Sequence, residues 1–405
     1  MLVTNAYVAV LRTPGAVRFS LGGFIGRMPM SMLSILVLLV VRDRTGSYAL
    51  AGAASATATC TQAAVAPLFG RLVDRRTQSG VVPGLLLLFL SGLALLVGTA
   101  VVDGPVAGLF AGAVLSGAGL LPYGALVRSR WAHLLLGDDR RMSTALALES
   151  VADEAVFIVG PVLVTLLAVL DPVWGAVAAA ALASAGTVVF LGASDTEPPR
   201  RPPTTGPRAR RPLGLWVLVA SSVLLGGVFG SVEVATIAFA DEQGASELAG
   251  ILLGLIALGS LAAGLWYGTR PWRRDLATRY QLSLVTLAVG GLPALVAPSV
   301  LWMAPASLVV GLSIAPTLIA SSGLIARIMP VDARTEGFSW QSSALNVGVA
   351  GGAAVGGSMI EAFGVRAAFA LVPIAAVVAA AIAMVGAARL RPEAAPVTPA
   401  SAKAA

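Results

Sequence analysis

The chain contains one lysine, one cysteine and one histidine in 405 residues. Each scarcity removes a class of chemistry. The lysine, Lys403, is the third-last residue, so no lysine is available for a phosphate-binding loop of the Walker type or for a Schiff base. ATP-driven pumping and aldimine chemistry are therefore disfavoured, which leaves an ion gradient or simple facilitation as the energy source and no cofactor. Cys60 alone makes no intrachain disulfide and reads as a buried, inert thiol. His133 alone excludes a multi-histidine metal site and reads as a solvated loop side chain. Charge is scarce as well. Only 12% of residues are charged against 57% hydrophobic, with a mean hydropathy of +0.88. An ordinary soluble domain does not have this composition.

The formal charge of +7 and the pI near 10.4 do not point to nucleic acid, because the basic residues fall between apolar runs and not along one face. The runs number twelve: 17–41, 47–70, 81–101, 105–127, 143–170, 172–193, 213–239, 247–268, 277–297, 299–322, 338–360 and 367–388. Each approaches or exceeds the ~20 residues that cross ~30 Å of hydrocarbon as a helix. Backbone groups in lipid must be satisfied internally, so the runs are predicted to be helices, the fifth and sixth turning at Asp171-Pro172. The first run is too long for the apolar core of a cleavable signal and reads as a retained span.

Arginine placement predicts the orientation. With the N-terminus inside, 23 of the 27 basic residues fall in cytoplasmic segments; Arg42, Arg44 and Arg366 lie outside, and Arg27 lies within a span. By the positive-inside rule both termini are cytoplasmic. The segment 194–212 (SDTEPPRRPPTTGPRARRP) is the one long polar linker, and its prolines predict an extended, solvated connection. It separates a six-span unit at 1–193 from another at 213–388, with a disordered tail at 389–405. The units echo each other: Gly70, Gly117 and Pro122 recur as Gly264, Gly311 and Pro316, all at an offset of 194. Three matches at one offset predict a duplicated bundle.

The segment GRLVDRRTQSG after the second run resembles the marker of the major facilitator superfamily, with Gly70, Asp74, Arg75 and Arg76 matching and Thr77 and Gln78 departing from it. The resemblance covers essentially the whole chain. It implies an all-α membrane protein of twelve transmembrane helices in two pseudo-symmetric six-helix bundles, acting as a single chain. It also implies that Gly70 lets helices 2 and 11 approach, while Asp74 and Arg75 help latch the cytoplasmic side. In the second half GLWYGTR takes the equivalent place, with Gly268 where the aspartate would stand, so the latch is expected to be asymmetric. Exporters of the family often carry GxxxGPxxG in helix 5; this chain keeps Gly160 and Pro161, which predict a kink. The helix 4 arginine of many proton antiporters falls here on Ala113.

Arg27 fills that vacancy in expectation. A charge in mid-bilayer costs roughly 3 kcal/mol or more on insertion scales, so it persists only beside a cavity or a carboxylate. Counted from their cytoplasmic ends, Arg27 and Asp153 each lie ten residues into their spans, about 15 Å deep. Glu149 shares the face of Asp153 one turn nearer the cytoplasm, whereas Glu154 points about 100° away. Arg27 is predicted to pair with Asp153 or Glu149, and one of these carboxylates to take up a proton. Tyr123, Glu233, Trp340, Gln341 and Asn346 are candidate substrate contacts. The expectation is a secondary transporter of the plasma membrane, exporting a small organic molecule against proton entry by alternating access. Proton-coupled uptake, facilitated diffusion and a transporter-like sensor without flux remain open.

Overall fold

The computed structural model describes residues 2–199 and 211–391, and its regular structure there is all helical. The first half comprises α1 (Leu2–Leu11), α2 (Ala16–Thr45), α3 (Tyr48–Arg75), α4 (Gln78–Val101), α5 (Val106–Gly119), α6 (Tyr123–Leu134), α7 (Asp139–Ala168) and α8 (Pro172–Leu191). The second comprises α9 (Leu213–Glu242), α10 (Ala249–Thr269), α11 (Leu276–Gly290), α12 (Leu292–Val296) and α13 (Val300–Leu312). It continues with α14 (Ile314–Ile328), α15 (Arg334–Phe363), α16 (Val365–Val385) and α17 (Ala387–Leu390). Most of the linker and the tail, residues 200–210 and 392–405, lie outside the described residues.

Local chemistry sets the helix ends. Ser47, Thr77 and Asp138 each accept a backbone N–H of the first turn they precede, and Asp171 does the same ahead of Pro172. The turn between α7 and α8 thus falls at Asp171-Pro172. Three of the expected runs are each split into two helices, the ninth at Gly291 between α11 and α12. The fourth breaks at Leu120–Pro122 between α5 and α6, and the tenth breaks at Ser313 between α13 and α14. The same breach in the fourth span of each half fits the duplicated pattern.

Eleven spans, counting α5–α6, α11–α12 and α13–α14 as one each, are long and apolar enough to cross a membrane. The expected twelfth, α3, has 28 residues but falls short of them in hydropathy. Its Ser and Thr hydroxyls explain how it still lives among apolar neighbours. Thr57, Thr59 and Thr61 donate back to the carbonyls of Ala53, Ser55 and Thr57, and Ser55 donates to Ser34 of α2. Cys60, on the same helix, is exposed, correcting the expectation of a buried thiol: α3 presents that face to its surroundings.

Within the first half, α2 packs on α8 and α4 on α5; in the second, α15 and α16 pack on α9, and α13 on α10. Small residues allow these approaches. A Cβ on Gly186 of α8 would lie 2.2 Å from the backbone of Gly26 in α2, and one on Gly26 would lie 2.4 Å from the Tyr123 ring, so both positions exclude a side chain. The halves meet along two seams, α3 against α15 and α7 against α10.

Burial along the seam helices is lopsided. In α7, Met142–Ala147 are buried without interruption, whereas Phe157, Ile158 and Val159 are exposed. In α15, Arg334–Ser339 are buried, whereas much of the stretch beyond Ala344 is open. The molecule is therefore sealed at the end where α1 and α17 lie and parted at the other.

Candidate functional site

The charge cluster is assembled by three helices of the first half. Arg27 of α2 is 1% exposed and donates through Nη2 to Glu149 Oε2 and through Nη1 to Asp153 Oδ1, each at 2.6 Å. Arg27 therefore meets both α7 acids at once. Trp131 of α6 donates its indole N–H to the other Glu149 oxygen at 3.1 Å. Arg128 of α6 donates to Asp153 Oδ2 at 2.5 Å. Two guanidinium groups thus face two carboxylates, and the set is charge-balanced. Such balance is what keeps charges buried, since stranding one ion of a buried pair costs about 3–5 kcal/mol. Burial grades across the set: Glu149 is 2% exposed, Arg128 13% and Asp153 25%. The polar edge of the cluster is therefore Asp153 with Arg128.

Arg128 and Trp131 escaped the sequence reading. Arginine counting assigned Arg128 and Arg130 to a cytoplasmic segment, but α6 runs on to Leu134 and carries both inside the bundle. Arg130, fully buried, donates to Gln78 Oε1, Phe190 O, Ala193 O and Thr196 Oγ1, with its guanidinium 3.9 Å from the Phe190 ring. The signal was available: 123–134 contains no proline, its one glycine stands in the first turn, and Arg128 and Trp131 stand three apart on one face. His133, expected in a loop, lies in the last turn of α6. Ala113, the vacant antiporter position, is buried among apolar side chains, and Arg128, further along the same span, supplies a guanidinium instead.

Glu154 turns away from this set and crosses the seam. Ser260 Oγ of α10 donates to Glu154 Oε1 at 2.7 Å. Gly160 also serves packing: a Cβ there would lie 1.9 Å from Ser31 Oγ of α2, which donates to Val156 O of α7. Pro161 follows inside the helix.

The marker segment lies at the sealed end. A Cβ on Gly70 would meet Ser339 Oγ at 2.5 Å and Thr335 O at 2.9 Å, so α3 and α15 touch there through glycine. Asp74 accepts the backbone N–H groups of Thr335 and Glu336, at 3.2 and 2.8 Å, in the first turn of α15. A carboxylate at a helix N-terminus satisfies free donors and meets the positive end of the helix dipole. Arg75 and Arg76 are exposed, with no ion pair among the described residues. In the second seam Thr144 Oγ1 donates to Gly268 O at 2.5 Å, and a Cβ on Gly268 would lie 2.6 Å from both Ala147 Cβ and Tyr7 Oη. No aspartate fits at Gly268, which is why the two seams differ. Tyr7 donates to Leu265 O, Arg334 to Ala132 O, and Arg327 pairs with Asp139, completing the seal.

The remaining candidates are scattered. Tyr123 is buried inside the first bundle, bonded to Thr187 and packed against Phe190, so it does not face the space between the halves. Trp340 sits at the sealed end against Trp216, near Arg211, whose guanidinium also pairs with Glu336. Gln341 donates to Ser321 and accepts from Ser322 within the second bundle. These three positions are packing sites in this state, because each side chain is spent on its own bundle or on the seal. Asn346 is half-buried with no side-chain hydrogen bond among the described residues, and Glu233 is exposed without an ion pair among them.

Two bundles, one closed end and a buried charge set define a carrier. The family model of the Major Facilitator Superfamily matches residues 19–276 and 280–405, and the chain belongs to that family. No curated protein matches the sequence. Among solved structures, a bacterial homologue of the iron transporter ferroportin in an outward-facing state superposes with a TM-score of 0.76 at 15% identity, covering 92% of this chain and 99% of that one. The human organic anion transporter MFSD10 gives 0.71 at 17% identity, covering 91% and 99%. The transporter FucP in its outward conformation gives 0.72 at 14%, covering 93% and 99%. At these identities the likeness is one of fold.

Proposed function

We propose that this member of the superfamily exports a small organic molecule against proton entry, by alternating access, in the plasma membrane. With most basic residues at the sealed end, that end is the cytoplasmic one and the state described is outward-facing. Asp153 and Arg128, at the exposed edge of the cluster, meet the polar part of the substrate, while Arg27 and Glu149 hold the edge in place from below. The protein works as a single chain and needs no cofactor or metal; its partners are lipid, protons and substrate, not nucleic acid. It binds and releases its substrate unaltered and is not an enzyme.

The observation that carries this reading is the juxtaposition of a balanced but partly open charge set with a seam closed on one side only. A purely structural set would be expected to be closed on every side. A thermal-shift screen of organic compounds on the purified protein identifies binders. Vesicles containing the protein and a trapped pH dye then test them under an imposed pH gradient. Binder-dependent proton movement supports the reading. A binder that stabilises the protein yet moves neither itself nor protons sinks it and favours a sensor.

A further inference from the structure

Four acids lie more than two turns from either end of a spanning helix: Glu149, Asp153, Glu154 and Glu233. Glu149 and Asp153 are committed to guanidinium groups, and Glu233 is exposed. Glu154 differs from all three. It is half-buried, pairs with no cation among the described residues, and makes its hydrogen bond to the opposite bundle.

The helices packed on α7 supply no counterion for it. Along α10 the one titratable group is Tyr267, seven residues and about two turns from Ser260 toward the seal, over against Arg279. α8 and α1 carry no charge within their helical residues, Tyr7 aside, and α14 carries only Arg327, held by Asp139 at the sealed end. α2 offers Arg27 and α6 offers Arg128, both spent on Asp153 and Glu149. α6 also carries Arg130 and His133, the first locked on the Phe190–Thr196 carbonyls and hydroxyl, the second in the last turn at the sealed end. The nearest charge to Glu154 is Asp153, of the same sign. A proton can thus be gained at this position without breaking an existing pair.

Its place along α7 fits that use. Glu154 stands between the stretch buried on every side, Met142–Ala147, and the stretch open on most sides, Phe157–Val159. In the outward-facing reading proposed above, water reaches such a boundary from the open end. When the seal moves to the other end, water reaches the same boundary from the opposite side. We propose that Glu154 is the group that takes up and releases the coupled proton, with Ser260 holding it across the two bundles, and that the Arg27–Glu149–Asp153–Arg128 set keeps its charges throughout the cycle. In the step itself, water on the open side gives a proton to the free Glu154 oxygen, leaving a neutral carboxyl group. The Ser260 hydroxyl donates to the other oxygen before and after. After the seal moves, the carboxyl O–H breaks and the proton passes to water on the other side, regenerating the carboxylate. This assignment rests on the proton-coupled reading above.

The test uses the proton alone as ligand. In a Cys60→Ser background, spin labels at Leu136→Cys and Arg273→Cys, both exposed at the sealed end on opposite halves, report whether that end is closed or parted. Distance distributions are recorded between about pH 5.5 and about pH 8.5; one proton changes the ratio of the two states by at most about tenfold per pH unit. The expected result is a pH-dependent ratio in the otherwise native protein, a flat ratio in Glu154→Gln held at its low-pH value, and a pH-dependent ratio in Asp153→Asn. Ser260→Ala, which keeps the carboxyl group, is expected to respond with a displaced midpoint. This variant carries the test if Glu154→Gln does not fold, and a midpoint left in place overturns the assignment. A Glu154→Gln protein that still responds as the native one does overturns it too, with coupling intact. A flat Asp153→Asn ratio overturns the assignment to Glu154 alone. A native protein whose ratio ignores pH removes the coupled reading and this assignment together.

Discussion

Arg27→Met removes the guanidinium that serves two carboxylates and leaves a methionine of similar reach in its place. Asp153 keeps Arg128, but Glu149 keeps only the Trp131 N–H. Glu149 is 2% exposed, so water cannot take over. Stranding one ion of a buried pair costs about 3–5 kcal/mol. Taking an unfolding entropy of about 2.1 cal/mol/K per residue, a chain of this length gains or loses about 0.85 kcal/mol per degree, and the melting temperature falls by about 4–6 °C. Glu149→Gln strands no acid, because Arg27 keeps Asp153 and the amide keeps a hydrogen-bond acceptor for it. The double variant, Arg27→Met with Glu149→Gln, leaves one guanidinium against one carboxylate and should recover most of the loss. Intrinsic fluorescence of the seven tryptophans during a thermal ramp in detergent reads all three. If the double variant melts as low as Arg27→Met, the cost lies in packing around α2 and not in an unpaired charge, and the electrostatic account of the cluster is wrong.

Two further outcomes follow from contacts at the sealed end. Gly70→Val places carbon within 3 Å of Thr335 O, backbone that cannot swing aside, so α3 and α15 must part; the same pair of spin labels should report a larger fraction of the parted state while size-exclusion chromatography shows an intact fold. Arg130→Lys keeps the charge but cannot reproduce four hydrogen bonds directed from one planar fork. We expect a loss of about 2–3 kcal/mol, seen as a lower melting temperature, with Arg130→Met at least as unstable because Gln78 Oε1 loses its donor.

Spans, their number within one, and the meeting of Arg27 with the α7 acids were legible because each follows from counting along a helix. Depth and facing are arithmetic on 1.5 Å and 100° per residue. What failed to show were features that depend on which side of a helix is turned inward. Arg128 and Arg130 satisfied the rule for cytoplasmic arginines so well that nothing drew attention to their place on the face of α6 that looks into the bundle. Tyr123, Trp340 and Gln341 have the chemistry of binding residues, but their partners are Thr187, Trp216 and Ser321, each distant in sequence. α3 was counted as an apolar span although its hydroxyl groups lower its hydropathy, since the pattern of a threonine bonding its own helix looks polar until the backbone is built.

The duplication itself bears on whether the charge set belongs to the architecture. At the offset of 194 shared by the glycine and proline matches, Arg27, Arg128 and Glu149 correspond to Ser221, Ser322 and Ser343. The second half closes around the first two of those serines with neutral bonds, and Ser343 is buried without one among the described residues. Tyr280 donates to Ser221 at 2.7 Å, and Ser322 donates to Gln341. Small hydroxyl-bearing residues pack well between helices in lipid and carry little desolvation cost, whereas each buried ion costs several kcal/mol before its partner offsets it. The same frame therefore closes without ions in one half and with four in the other. A six-helix bundle of this kind does not require them, so their presence in the first half is an expense that packing does not explain. Function does, if the first half holds the charge chemistry and the second supplies a moving wall, bonded beside that set from Ser260 to Glu154.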